Sequence, residues 1–165
     1  MSAGHTWLQA IRRSPRYALR LMRMPLVWQL LLIEALFTLV YARLWMLAQP
    51  FQRVAARLGR PGTPVEDQPP VVLAQNDADC ARQVSRAVRW VAKVVPFRSV
   101  CLQQAVAAKI MLRRRNIAST LHFGVAISSE GGDPAIKAHA WLRAGSVDVT
   151  GFDVAHQYRE IVRYD

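Results

Sequence analysis

Apolar residues run almost unbroken from Pro25 to Ala42, PLVWQLLLIEALFTLVYA, with arginines on both sides. Gln29 and Glu34 lie inside the run. Glu34, Thr38 and Tyr41 recur at spacings of four and three, which draws one narrow polar stripe along a helix. A spanning helix needs roughly 20 predominantly apolar residues, and an acid near its centre costs ~3 kcal/mol. The run has 18 residues. The pattern therefore predicts a helix packed in a core or against a partner, with contact along a membrane surface as the alternative. Upstream, SPRYALRLMRM reads as a basic helix. Downstream, Pro50 interrupts before another helical stretch, FQRVAARLG. PGTPVEDQPPVVLAQ carries four prolines and no helical period, the pattern of a linker or extended crossing. The chain thus divides into a helical, basic and apolar segment (1–60), a proline-rich linker (61–75) and a compact second half (76–165).

The second half opens with a helix, capped at Asn76 or Asp77, whose Val84, Ala87, Val88, Val91 and Val94 keep helical spacing until Pro96. A short loop then delivers Cys101 to a second helix. Leu102, Ala105, Val106, Ile110 and Leu112 form its apolar side. Arg113, Arg114 and Arg115 suit its negative end, and Asn116 suits the left-handed position that closes a helix. Alternation then takes over. STLHFGVAI, AIKAHAWLR, SVDVTGF and QYREIVRY predict four strands, with turns at SSEGGDP and at Ala144-Gly145. Helices followed by an antiparallel sheet make an α+β fold.

Length and charge narrow the classes. A chain of 165 residues is about one domain. Its net charge is +11, and 19 of its 22 basic residues are arginine. Residues 1–60 hold nine arginines against one acid, Glu34. Such a segment meets an acidic surface (membrane, nucleic acid or acidic peptide) or is simply a solvated basic face. The arginines are not interleaved with stacking aromatics and no DNA-binding helical motif is present, so no nucleic-acid partner is expected. Cys80 and Cys101 form no CxxC pair and have no histidine close in sequence, so neither a metal nor a cofactor is expected. A reducing compartment follows from the cysteine usage, and no secretory signal is visible. The expected location is the cytoplasm, with membrane association through the apolar helix as an option.

A cysteine at a helix start has its thiolate favoured by the helix dipole, which suits a nucleophile. It is also an ordinary small core residue, the reading kept for Cys80. A nucleophilic cysteine needs a base. His122, His139 and His156 are candidates, while His5 lies near the terminus. With the turn at Ala144-Gly145, His139 faces Thr150 and Trp141 faces Asp148. All four side chains then share one sheet face, and Asp148 is a diagonal neighbour of His139. Cys101, His139 and Asp148 make a papain-like arrangement. Backbone N–H groups at Arg98, Ser99 and Cys101 suit an oxyanion hole, and Trp141 suits a cleft wall or a sheet core.

VPFRSVCLQQAVAAKIMLRRRNIASTLHFGVA, followed by KAHAWLRAGSVDVTGFDVAHQYREIVRY, resembles the B protein of lasso-peptide biosynthesis. The resemblance covers most of residues 76–165, and LAQPFQRVAARLG resembles the N-terminal helices of that family. It implies a transglutaminase-like, papain-related cysteine protease, with the nucleophile helix packed on an antiparallel sheet. It also implies removal of the leader peptide from a ribosomally made precursor. By motif, Cys101 is nucleophile and His139 is general base and then acid. Where relatives carry a triad acid, the resemblance puts Thr150 or Gly151. Asp148 is the nearest acid before that position and Asp153 the nearest after; Asp148 is preferred on face parity, and a dyad is the alternative. The short N-terminal part resembles the stand-alone protease. The implied partners are a separate leader-recognition protein and an ATP-dependent cyclase, with the apolar helix in the docking surface. Two other classes remain: a transglutaminase or acetyltransferase on the same fold, and a non-enzymatic basic adaptor.

Overall fold

The long apolar run becomes α1 (Leu26–Ala48), which continues past Ala42 because no breaker intervenes before Pro50. In the computed structural model the described residues are 24–49, 51–62, 72–97, 99–128 and 135–165. Outside them lie the expected basic helix apart from Met24, most of the linker, Arg98 and most of the SSEGGDP turn. α1 buries Leu31, Leu32, Ala35, Thr38, Leu39 and Ala42 along one stripe. Its polar residues are used inside the fold. The Thr38 hydroxyl donates to the carbonyl of Glu34 at 2.8 Å. Arg115 grips Glu34 with both ends of its guanidinium, Nη2 to Oε2 at 2.6 Å and Nη1 to Oε1 at 3.1 Å.

α2 (Phe51–Leu58) follows, then α3 (Gln75–Val94) and α4 (Cys101–Arg113). α3 starts two or three residues earlier than a cap at Asn76 or Asp77 would place it. Ala74 is the cap, and Asp77 sits in the first turn, where it compensates the dipole. α4 ends as expected, with Asn116 at φ 57°. Residues from α1, α2, α3, α4 and the sheet share one hydrophobic core, so the N-terminal helices and the second half pack together.

The sheet contains β1 (Pro61–Gly62), β2 (Thr120–Ser128), β3 (Ala135–Ala144), β4 (Val147–Thr150) and β5 (Arg159–Tyr164). All pairs are antiparallel, in the order β1-β5-β2-β3-β4. β1 comes from the beginning of the expected linker. A 3-10 helix (Phe152–Gln157) connects β4 to β5. Ala140, Leu142 and Ala144 of β3 join the helical core. By alternation, His139, Trp141 and Arg143 occupy the other face.

The β3–β4 register differs from the expected one. Gly145 and Ser146 form the turn, so Ala144 pairs with Val147 and Arg143 with Asp148. A bulge follows, and Leu142 pairs with Thr150. The carbonyl of Val149, between them, accepts a 2.6 Å hydrogen bond from Oγ of Ser85 on α3. That bond draws the backbone out of the ladder and supplies a physical reason for the extra residue.

Candidate active site

Cys101 is the first residue of α4. Val100 precedes it in extended conformation, and the Val100 N–H donates to Oε1 of Gln103 at 3.3 Å. Gln104 reaches back as well, its Nε2 donating to the carbonyl of Ser99 at 3.0 Å. These two side chains fix the chain's entry into the helix. Cys101 is a free thiol, half-buried against the core. Its place at the positive end of a 13-residue helix is what a thiolate requires. Cys80 is also free and half-buried, in the body of α3.

His139 lies on β3 opposite Gly124 of β2. β4 stops at Thr150, so β3 has no β4 partner at His139. Just beyond that stop the chain turns at Gly151, with φ 73°. This turn aims the Gly151 carbonyl at the imidazole, and Nε2–H of His139 donates to it at 2.6 Å. The bond selects a tautomer. With the proton on Nε2, the lone pair of the neutral ring is on Nδ1, which becomes the basic nitrogen. The ring also stacks on Tyr158, with centroids 4.9 Å apart, and on Trp141 at 6.1 Å. Among the described residues no hydrogen bond joins Cys101 to His139.

Trp141 is 6% exposed and lies between two imidazoles. His122 stacks on it at 5.5 Å with ring planes 3° apart. Gly124 makes room for the indole: a Cβ there would meet the ring and the Arg159 carbonyl at 2.9 Å. His122 in turn donates from Nδ1 to Glu160 at 3.0 Å. The histidine with a carboxylate partner is therefore His122. Residues 122 and 160 are far apart in sequence, and only the β2–β5 pairing brings them together.

The two acids considered for His139 are engaged elsewhere. Asp148 lies opposite Arg143 rather than Trp141, because of the shifted turn. Its Oδ1 is 3.2 Å from Arg143 Nε, a charge contact without hydrogen-bond alignment. Asp153 pairs with Arg89 at 3.0 Å on the surface. Thr150 is 2% exposed and faces Leu142. Its hydroxyl and that of Ser99 are buried without a hydrogen-bond partner. Buried orphan hydroxyls are uncommon. Arg98 lies outside the described residues, and no group of metal-ligating side chains occurs among those described.

The described residues supply a helix-start thiol on α4 and, on the face of β3 away from the helical core, an imidazole held in one tautomer by a carbonyl. That is equipment for acyl chemistry through a thioester. The profile of the transglutaminase-like superfamily matches residues 45–163. No curated protein and no solved structure matches the chain. Members of the superfamily are typically cysteine peptidases or acyltransferases. The match begins inside α1 and extends to β5, which takes in α2, α3, α4 and the whole sheet; the chain belongs to the transglutaminase-like superfamily.

Proposed function

We propose that this protein is a cysteine peptidase that removes the leader from a ribosomally made lasso-peptide precursor. The observation that carries the chemistry is the His139–Gly151 hydrogen bond. It leaves Nδ1 as the nitrogen for a thiol, and Gly151 is one of the two positions, Thr150 and Gly151, at which the resemblance puts the acid of a triad. The substrate class rests on the motif resemblance around PFRSVCL, LRRRNI, LHFGV and AHAW.

In this reading Cys101 gives its proton to Nδ1 of His139, and the thiolate attacks the carbonyl of the last leader residue. The C–N bond breaks, and His139 returns the proton to the departing amine of the core peptide. Water then attacks the thioester while His139 accepts its proton, which frees the leader acid and restores the thiolate. Backbone N–H groups at the start of α4 face the developing oxyanion. The Gly151 carbonyl holds the imidazole through both steps and stabilises its charged form. In this reading substrate binding brings the thiol at the start of α4 within hydrogen-bond reach of Nδ1.

The test uses purified precursor, the leader-recognition protein and the full chain, read by mass spectrometry. Wild type is expected to release leader and core with the mass of one added water. Cys101→Ala is expected to release neither. Full cleavage by that variant rejects Cys101 as nucleophile, and a product carrying a transferred acyl group assigns the protein to acyl transfer instead.

A further inference from the structure

α1 has no polar outer face. A helix at the surface of a soluble domain normally turns charged residues outward. Here Leu26, Leu30, Ile33, Phe37, Leu44 and Leu47 are 48–71% exposed. They form one face roughly 30 Å long. The two charged residues of the helix are directed elsewhere. Glu34 is held by Arg115 at 2.6 Å, and Arg43 lies over the Phe97 ring at 4.8 Å.

Cations border this face. Two adjoining hollows of about 540 and 590 Å³ run between α1 and α4. Their apolar walls include Phe37, Tyr41, Trp45 and Ile110, and Arg57, Arg113 and Arg114 line them as well, Arg114 also meeting Glu34 at 3.4 Å. Glu34, already paired, is the one acid in either lining. A wide apolar ridge edged with arginines is complementary to a bilayer whose headgroups are anionic. Hydrocarbon asks for no hydrogen bonds, and the ridge offers none along its length except at the Tyr41 hydroxyl. α1 also meets the length and apolarity of a membrane-crossing helix. Crossing would expose to lipid the half of α1 that builds the core, Leu31, Ala35, Leu39 and Ala42 included.

We propose that the outer face of α1 docks on a bilayer surface rich in anionic lipid, with the helix in the membrane plane and Arg57 and Arg113 against the headgroups. Docking is independent of the peptidase reading, and its test reads binding rather than cleavage. The full chain is floated with vesicles of phosphatidylcholine alone or with about one-third phosphatidylglycerol. Expected is capture by the anionic vesicles, weakened by salt. Leu30→Glu with Phe37→Glu lowers the partition coefficient by roughly a hundredfold or more. Arg57→Gln with Arg113→Gln lowers it by about thirtyfold and flattens the salt dependence. The unfolding midpoint of each variant is measured alongside. If the glutamate pair fails to fold, the arginine pair decides. Absence of capture by anionic vesicles overturns the proposal, as does equal capture by neutral ones. A dimer without lipid, broken by Phe37→Glu, assigns the face to a second copy and likewise overturns it.

Discussion

Replacing Gly151 with alanine isolates the carbonyl that orients His139. The residue sits at φ 73°, where an L side chain costs about 1–2 kcal/mol. The new Cβ falls 2.5 Å from the Ala140 carbonyl oxygen and 3.2 Å from His139 Nε2. The first neighbour is backbone and cannot swing away, so the Gly151 peptide must move, and the 2.6 Å bond to the imidazole goes with it. A hydrogen bond to a group that becomes charged contributes roughly 1.5–3 kcal/mol. The expected loss in kcat/KM is therefore roughly 10- to 150-fold, over and above the lower stability. Gly145→Ala is the control: φ is 53° there too, but the residue lies in the β3–β4 turn. Leader cleavage is followed by mass spectrometry, and alkylation of Cys101 by iodoacetamide is followed against pH. Gly151→Ala is expected to slow cleavage and alter the alkylation profile; Gly145→Ala is expected only to lower the melting temperature. In the same assay Asp148→Asn stays within about twofold, since Asp148 faces Arg143. Wild-type cleavage by a destabilised Gly151→Ala variant would refute the orienting role.

Two further outcomes concern the scaffold. Lys109 is buried, with Nζ donating to the carbonyls of Ser119 at 2.6 Å and Tyr164 at 3.0 Å. Burial lowers its pKa from 10.5 to about 8, opposed by Asp165 and assisted by Arg113. Between those values the unfolded chain binds more protons than the folded one, so stability rises with pH across that window. Urea titrations should show wild type gaining up to ~3 kcal/mol relative to Lys109→Met between pH 8 and 10.5; parallel curves would contradict the burial cost. Glu34→Ala leaves Arg115 without its carboxylate and is expected to cost about 2–3 kcal/mol in the same titration, a figure that a loss below about 0.5 kcal/mol would reject.

The sequence was most informative where local chemistry suffices. Helix α4 is bounded at both ends by features visible in one stretch: Cys101 after an extended loop, and Asn116 in the left-handed region. The β2 and β3 strands follow directly from alternation. The β3–β4 register does not, because a glycine fits either position of a two-residue turn. Placing Gly145 first rather than second moves every pairing, and the Ser85 bond then adds a bulge that no alternation pattern records. The partner of His139 was hidden for a different reason. A search for acids finds side chains, and Gly151 contributes a peptide oxygen. His122 with Glu160, and Glu34 with Arg115, become visible only once long-range packing is known.

The Glu34–Arg115 pair has a consequence for how the chain is made. The two residues are 81 positions apart. At about 5–20 residues per second, a ribosome needs roughly 4–16 s to pass from one to the other. Early in that interval α1 is finished and largely apolar, while α3 and α4, the helices that cover its inner half, are still unwritten. Whatever shelters a nascent hydrophobic segment, be it a chaperone or a nearby bilayer, has first access to it. The fate of Leu26–Ala48 is thus a race in time, and Arg115 arrives last.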